Sequence, residues 1–107
     1  MTQEQQGKVA IVTGGASGVG AASARWLAAR GYHVLVNYQR SADMAQAVVS
    51  ECVALGVQAM AVQGNVALDT DCRSLVQQAV SRWGRIDVLV NSAGTTKFVP
   101  ISNLDGV

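Results

Sequence analysis

Apolar runs of strand length recur along the chain, and segments with helical spacing lie between them. Val9-Ala10-Ile11-Val12 and Ile86-Asp87-Val88-Leu89-Val90 are the clearest of the runs. Short apolar runs alternating with helices are expected of a parallel sheet covered on both faces. Four strands are predicted: Lys8 to Thr13, His33 to Tyr38, Val57 to Gln63 and Ile86 to Asn91. Three helices separate them. The first covers Gly18 to Arg30 and stops at Gly31 through a left-handed cap. The second is capped by Ser41, carries Asp43 in its first turn and ends at about Leu55 before Gly56. Asp69 serves as N-cap of the third, which ends near Trp83-Gly84. Within it Leu75, Val76, Ala79 and Val80 recur at helical spacing and form the predicted buried face. Trp26 and Trp83 read as packing residues that cover the sheet. The segment from Thr95 to Val107, with Pro100, reads as a loop.

The pattern therefore predicts an α/β fold. Parallel crossovers are right-handed, so the four strands fall in the order 3-2-1-4. That order leaves the apolar fourth strand as an uncovered edge, and such an edge invites association. The chain is accordingly expected to be the N-terminal part of a larger single domain, with a fragment that pairs its edge with another chain as a competing arrangement.

Composition narrows the partners rather than the fold. Of 107 residues, 50% are hydrophobic, enough for an appreciable core. A charged fraction of 14% and a net charge of +1 offer neither a basic stripe nor an acidic tail, so nucleic acid is not an expected partner. The leader Met1 to Gly7 is polar, and no apolar run reaches the roughly 18 residues of a membrane span. A soluble, cytoplasmic protein is expected. Cys52 and Cys72 fall within helical patterns and read as small apolar residues; with one His they make no metal set.

The candidate chemistry begins at Thr13-Gly14-Gly15-Ala16-Ser17-Gly18-Val19-Gly20, directly between the first strand and the first helix. Glycines suit a loop that must turn tightly, bring its backbone near a pyrophosphate and pack a helix closely on a strand. The anion would sit at the helix N-terminus, where N–H groups lack intrahelical partners and the macrodipole favours negative charge. Gly14, Gly18 and Gly20 would allow the wrap, while Ser17 and Val19 offer backbone N–H groups. About 20 residues further on, a carboxylate would bond the ribose of NAD. Asn37-Tyr38-Gln39-Arg40-Ser41 stands there instead. The Arg40 guanidinium, with the Ser41 hydroxyl, can pair a 2′-phosphate, so NADP is expected in preference to NAD. A solvated charge at a helix start is the alternative for Arg40.

The glycine loop, together with Asn91-Ser92-Ala93-Gly94 after the fourth strand, resembles the short-chain dehydrogenase/reductase family. That family carries Thr-Gly-x-x-x-Gly-x-Gly after its first strand and Asn-Asn-Ala-Gly after its fourth, with Ser92 here replacing the second Asn. The resemblance runs from about Lys8 to the last residue. It implies a Rossmann-type doubly wound fold, of which this chain holds β-α-β-α-β-α-β, and hydride transfer between a nicotinamide and a carbonyl or alcohol. It also implies that Asn65-Val66 stands where the family has an Asp-Val step whose carboxylate accepts from the adenine amino group; the Asn65 oxygen can accept the same bond, or Asn65 serves only a turn. Asn91 would tie the central strands, and Ala93 and Gly94 would admit the cofactor ribose. Ser92 is expected to satisfy a local backbone group rather than act in catalysis. Tyr38, Arg40 and Ser41 complete the cofactor set. His33 and Lys97 read as a bystander and a surface charge.

The family's catalytic Ser and Tyr-x-x-x-Lys fall later than Val107; neither Tyr32 nor Tyr38 has a Lys four residues on. No catalytic residue is therefore expected in this chain. Val36-Asn37-Tyr38 and Arg85 to Val90 look like segments of 3-oxoacyl carrier-protein reductases and related alcohol and sugar dehydrogenases. The resemblance thus implies a small-molecule or acyl-thioester carbonyl substrate, and a homo-oligomer as intact protein. The competing function is a non-catalytic module that binds a dinucleotide or a partner protein.

Overall fold

The computed structural model describes residues 7–92 and the backbone of 97–100. The elements are β1 (Val9–Thr13), α1 (Gly18–Ala29), β2 (His33–Tyr38), α2 (Ala42–Ala54), β3 (Ala59–Gln63), α3 (Asp69–Trp83), β4 (Val88–Asn91) and β5 (Lys97–Pro100). The sheet has the order β3-β2-β1-β4-β5, parallel through β4, so the predicted 3-2-1-4 order holds. β1 lies at the centre and all five of its residues are buried. Gly31 follows α1 at φ 90°, as the cap expected there requires.

Alternation along β1 divides the core into two layers. Ala10 and Val12 face α1 and α2, where they join Ala24, Leu27, Val34, Val36, Val48 and Cys52. Val9 and Ile11 face α3 and join Leu35, Leu75 and Ala79. Each fully buried Val, Leu or Ile contributes about 1.5–3 kcal/mol, so both layers add to stability, the first more than the second. In the first layer the Cys52 thiol lies against the Ala24 carbonyl at 3.7 Å. Burial pushes its pKa up, the charge of Glu51 adds to that and Arg25 opposes it.

Several expectations need correction. The segment read as a loop contains β5, which pairs antiparallel with β4 from Val88↔Pro100 to Asn91↔Lys97. The outer edge of β4 is therefore covered: its unpaired backbone groups are met by the next piece of chain, and Pro100 is tolerated because β5 is an edge strand. Val76 and Val80 are exposed, whereas Leu75 and Ala79 are buried, because the face of α3 against the sheet is narrower than the apolar stripe. Trp26 is 54% exposed and covers no sheet; the Arg30 guanidinium one turn on lies 3.5 Å from its ring centre. The N-cap of α3 is Leu68, not Asp69, since a turn closed by the Leu68 N–H on the Asn65 carbonyl starts the helix one residue early. Ser41 is the N-cap of α2, but its hydroxyl makes no capping bond.

The N-terminal end of the sheet is closed by side chains. Asp87 accepts the Val9 N–H at 2.8 Å and both arms of Arg85 at 2.9 and 2.7 Å. Trp83 stacks on His33 with ring centres 5.7 Å apart and donates to Gln58 Oε1. His33 Nδ1 accepts the Gln58 N–H, so the ring is built into the end opposite the glycine loop. No helix among the described residues is long and apolar enough to cross a membrane.

Candidate functional site

The C-terminal ends of β1, β2 and β4 meet at the glycine loop. Strand β1 ends in Thr13, whose hydroxyl donates to Asn91 Oδ1 at 3.0 Å and to the Val90 carbonyl at 3.3 Å. These bonds tie β1 to β4 at the point where Thr13 pairs with Asn91. One residue on, Ser92 donates to the carbonyls of Thr13 and Gly14. Its hydroxyl thus satisfies backbone groups, though across the sheet, 79 and 78 residues away, and not locally as expected.

On the other side of β1 the loop is held by Asn37. The side chain is 2% exposed. Its Oδ1 accepts the Gly14 N–H at 3.1 Å and its backbone oxygen accepts the Gly15 N–H at 2.8 Å. Its Nδ2 donates to the carbonyls of Gly64 at 3.1 Å and Val62 at 3.3 Å. One buried amide therefore links the glycine loop to the end of β3. Neither Asn37 nor Thr13 was singled out as a site residue from sequence; the available signal was a polar side chain closing an apolar strand.

With the Gly14 and Gly15 N–H groups engaged, the donors without a partner among the described residues include those at the start of α1. Ser17 is the N-cap, extended at φ −154° and ψ 168°, and its hydroxyl makes no capping bond. The first helical bond runs from the Ala21 N–H to the Ser17 carbonyl, so the N–H groups of Gly18, Val19 and Gly20 precede it. Ser17, Gly18 and Val19 are exposed and Gly20 is buried. A Cβ on Gly20 would collide with the Gly14 carbonyl and lie 2.6 Å from Ser92 Oγ, so here glycine is required by close packing. Gly18 has open space but φ +58°, so there it is required by backbone conformation. The first turn of α1 has no acidic residue, unlike those of α2 and α3. No carboxylate of that turn offsets the positive end of its dipole.

A polar depression of about 510 Å³ opens beyond β2 and β3, lined by Gln39, Arg40, Gln63, Gly64, Asn65 and Asp71. Arg40 is exposed and enters no ion pair among the described residues. Tyr38, half-buried, closes the rim by accepting the Gly64 N–H on its carbonyl. Ser41 is exposed at the start of α2. The Asn65 oxygen accepts the Ala67 N–H at 2.9 Å, a turn bond, and Val66 lines a separate cavity of about 140 Å³ under α3. Ala93 and Gly94 lie outside the described residues.

The chain matches the family model for short chain dehydrogenase over residues 8–106. The chain belongs to the short-chain dehydrogenase family. It is 48% identical over 90 residues to the 3-oxoacyl-(acyl-carrier-protein) reductase of Staphylococcus epidermidis, covering 84% of this chain and 37% of that protein. It is 45% identical over 95 residues to a hydroxynaphthalene reductase of Aspergillus fumigatus, covering 89% and 35%. Among solved structures, a short-chain dehydrogenase from Burkholderia cenocepacia in complex with NADP superposes with a TM-score of 0.80 at 46% identity, covering 85% of this chain and 37% of that one. This short-chain dehydrogenase chain thus spans little more than a third of the length of the relatives it matches.

Proposed function

We propose that this chain supplies the adenine- and diphosphate-binding part of an NADP-dependent oxidoreductase that moves a hydride between nicotinamide and a carbonyl or alcohol carbon. The observation that carries the reading is the set of N–H groups at Gly18, Val19 and Gly20 that have no partner among the described residues, on a helix start with no acid of its own and a glycine-lined approach. A diphosphate fits those donors, and the Ser17 hydroxyl adds one more. Gly14 completes the turn. The nicotinamide supplies the hydride chemistry when bound. The protein's own residues bind and orient: Asn91 anchors β4 beside the loop through Thr13, and Ala93 and Gly94, small residues of the family signature, would admit the cofactor ribose. Arg40 and Ser41 meet the 2′-phosphate, while Tyr38 and Asn65 border the adenine end.

NADP is preferred over NAD because Arg40, a guanidinium without an ion pair among the described residues, stands where a carboxylate would be needed for the ribose of NAD. The likeness to an NADP complex supports the same preference. The substrate class we infer is an acyl thioester or similar small carbonyl compound, in keeping with the 3-oxoacyl reductase relatives. A cytoplasmic homo-oligomer is the corresponding state of the whole protein.

Titration calorimetry with NADP and NAD tests the reading. NADP should bind more tightly, and Arg40→Ala should weaken NADP about tenfold or more while leaving NAD within about twofold. Equal loss for both dinucleotides would remove Arg40 from the 2′-phosphate site.

A further inference from the structure

The peptide units Thr13–Gly14 and Gly14–Gly15 of the glycine loop have every polar group bonded by a residue from a strand beside β1. Asn37, on β2, takes the N–H groups: its Oδ1 accepts that of Gly14 and its backbone oxygen that of Gly15. Ser92, directly after β4, takes the carbonyls through its hydroxyl, that of Gly14 at 3.3 Å. The Thr13 carbonyl also receives the Ser92 N–H at 3.4 Å, whereas the Gly14 carbonyl has the hydroxyl alone among the described residues. That carbonyl stands against the start of α1. A Cβ on Gly20 would collide with its oxygen and come within 2.6 Å of Ser92 Oγ. The hydroxyl and the carbonyl thus lie beside the turn whose Gly18, Val19 and Gly20 N–H groups have no partner among the described residues.

We propose that Ser92 is a positioning residue for the diphosphate, its hydroxyl proton capping the Gly14 carbonyl so that the N–H groups at the start of α1 remain for the anion. The role rests on the dinucleotide reading. A carbonyl oxygen carries partial negative charge. Without a donor of its own, one at this place repels an anion held by the same turn or takes one of the N–H groups for itself. The role is also distinct from joining strands, since Thr13 and Asn91 already tie β1 to β4.

Calorimetry on the purified protein tests this with two probes. NADP carries the diphosphate; adenosine 2′-monophosphate carries the base and the 2′-phosphate but no diphosphate. Ser92→Ala should weaken NADP about tenfold and leave adenosine 2′-monophosphate within about twofold. Ser92→Cys keeps a side chain of similar size but offers only a weak donor, and should weaken NADP nearly as much. If circular dichroism shows Ser92→Ala unfolded, Ser92→Cys carries the test alone. A Ser92→Cys protein that binds NADP as tightly as the wild type makes Ser92 a space-filling residue and overturns the proposal. So does an equal loss of both probes, or no loss of either, in a folded variant. Each of these results leaves the dinucleotide reading standing, because the wild type still binds NADP. A wild type that binds neither probe overturns that reading and the proposal with it.

Discussion

The glycine loop and the β2–β3 rim face the same end of the sheet, yet they are built from different material. In the loop nearly every contact is made to backbone: Asn37 holds Gly14 and Gly15, Ser92 holds Thr13 and Gly14, and α1 packs so closely that Gly20 has no space for a side chain. The rim is made of side chains around an open depression, with Arg40 and Ser41 exposed. A surface made by backbone suits what is common to all dinucleotides and, at Gly20, tolerates no added atom. A surface made by side chains tolerates added atoms and discriminates by charge and hydrogen-bond polarity.

The largest expected effect comes from breaking the backbone side of this contrast. Gly20→Ala should cost about 3 kcal/mol, because the new methyl meets a carbonyl oxygen that is itself tied down and the helix must move off the loop. Gly18→Ala meets open space and should cost only about 1 kcal/mol for its left-handed backbone. Denaturant midpoints for the two variants measure the difference. Equal losses would mean that conformation, not space, governs both glycines.

Asn37 belongs to both regions, so its loss should be felt in both. Asn37→Ala leaves the Gly14 N–H and the Gly64 and Val62 carbonyls without their partner inside the fold. A cost of about 2 kcal/mol is expected. NADP and NAD affinity should fall together, in contrast to the selective effect at Arg40. A variant that lost only NADP affinity would show that Asn37 serves the rim alone.

The same contrast explains what could be read from the sequence. The loop was legible because close packing and left-handed backbone leave glycine as the suitable residue, and glycines at 14, 18 and 20 stand out. The parallel order followed from apolar run lengths and crossover handedness. Asn37 was not legible as the link between the loop and β3, because nothing local marks an amide whose partners lie 23 to 27 residues away. Strand β5 escaped for a similar reason: Lys97–Pro100 carries no period of its own, and its strand character comes from the free edge of β4. Val76 and Val80 share the apolar period of α3, but only the sheet determines how wide a stripe it covers.

The smallest effect lies at the opposite end of the sheet, and it separates stability from binding. Burial pushes the Asp87 pKa up, but the Arg85 hydrogen bond, the Val9 N–H and the charges of Arg85 and Lys8 together hold it below the ordinary carboxylate value. A depressed carboxylate contributes stability that is fully present above its unfolded pKa, about 3.9, and is lost as pH falls through the folded value. Asp87→Asn should therefore destabilise by about 1 kcal/mol at pH 7, a modest figure because Arg85 is half exposed. The gap between wild type and variant should close below about pH 4. Unfolding followed from pH 7 to pH 3 reads that convergence, and NADP affinity at pH 7 should not change, since Asp87 holds the end of the sheet away from the glycine loop. A constant gap at all pH values would assign the effect to packing, and a loss of NADP affinity would mean that the two ends of β1 are coupled.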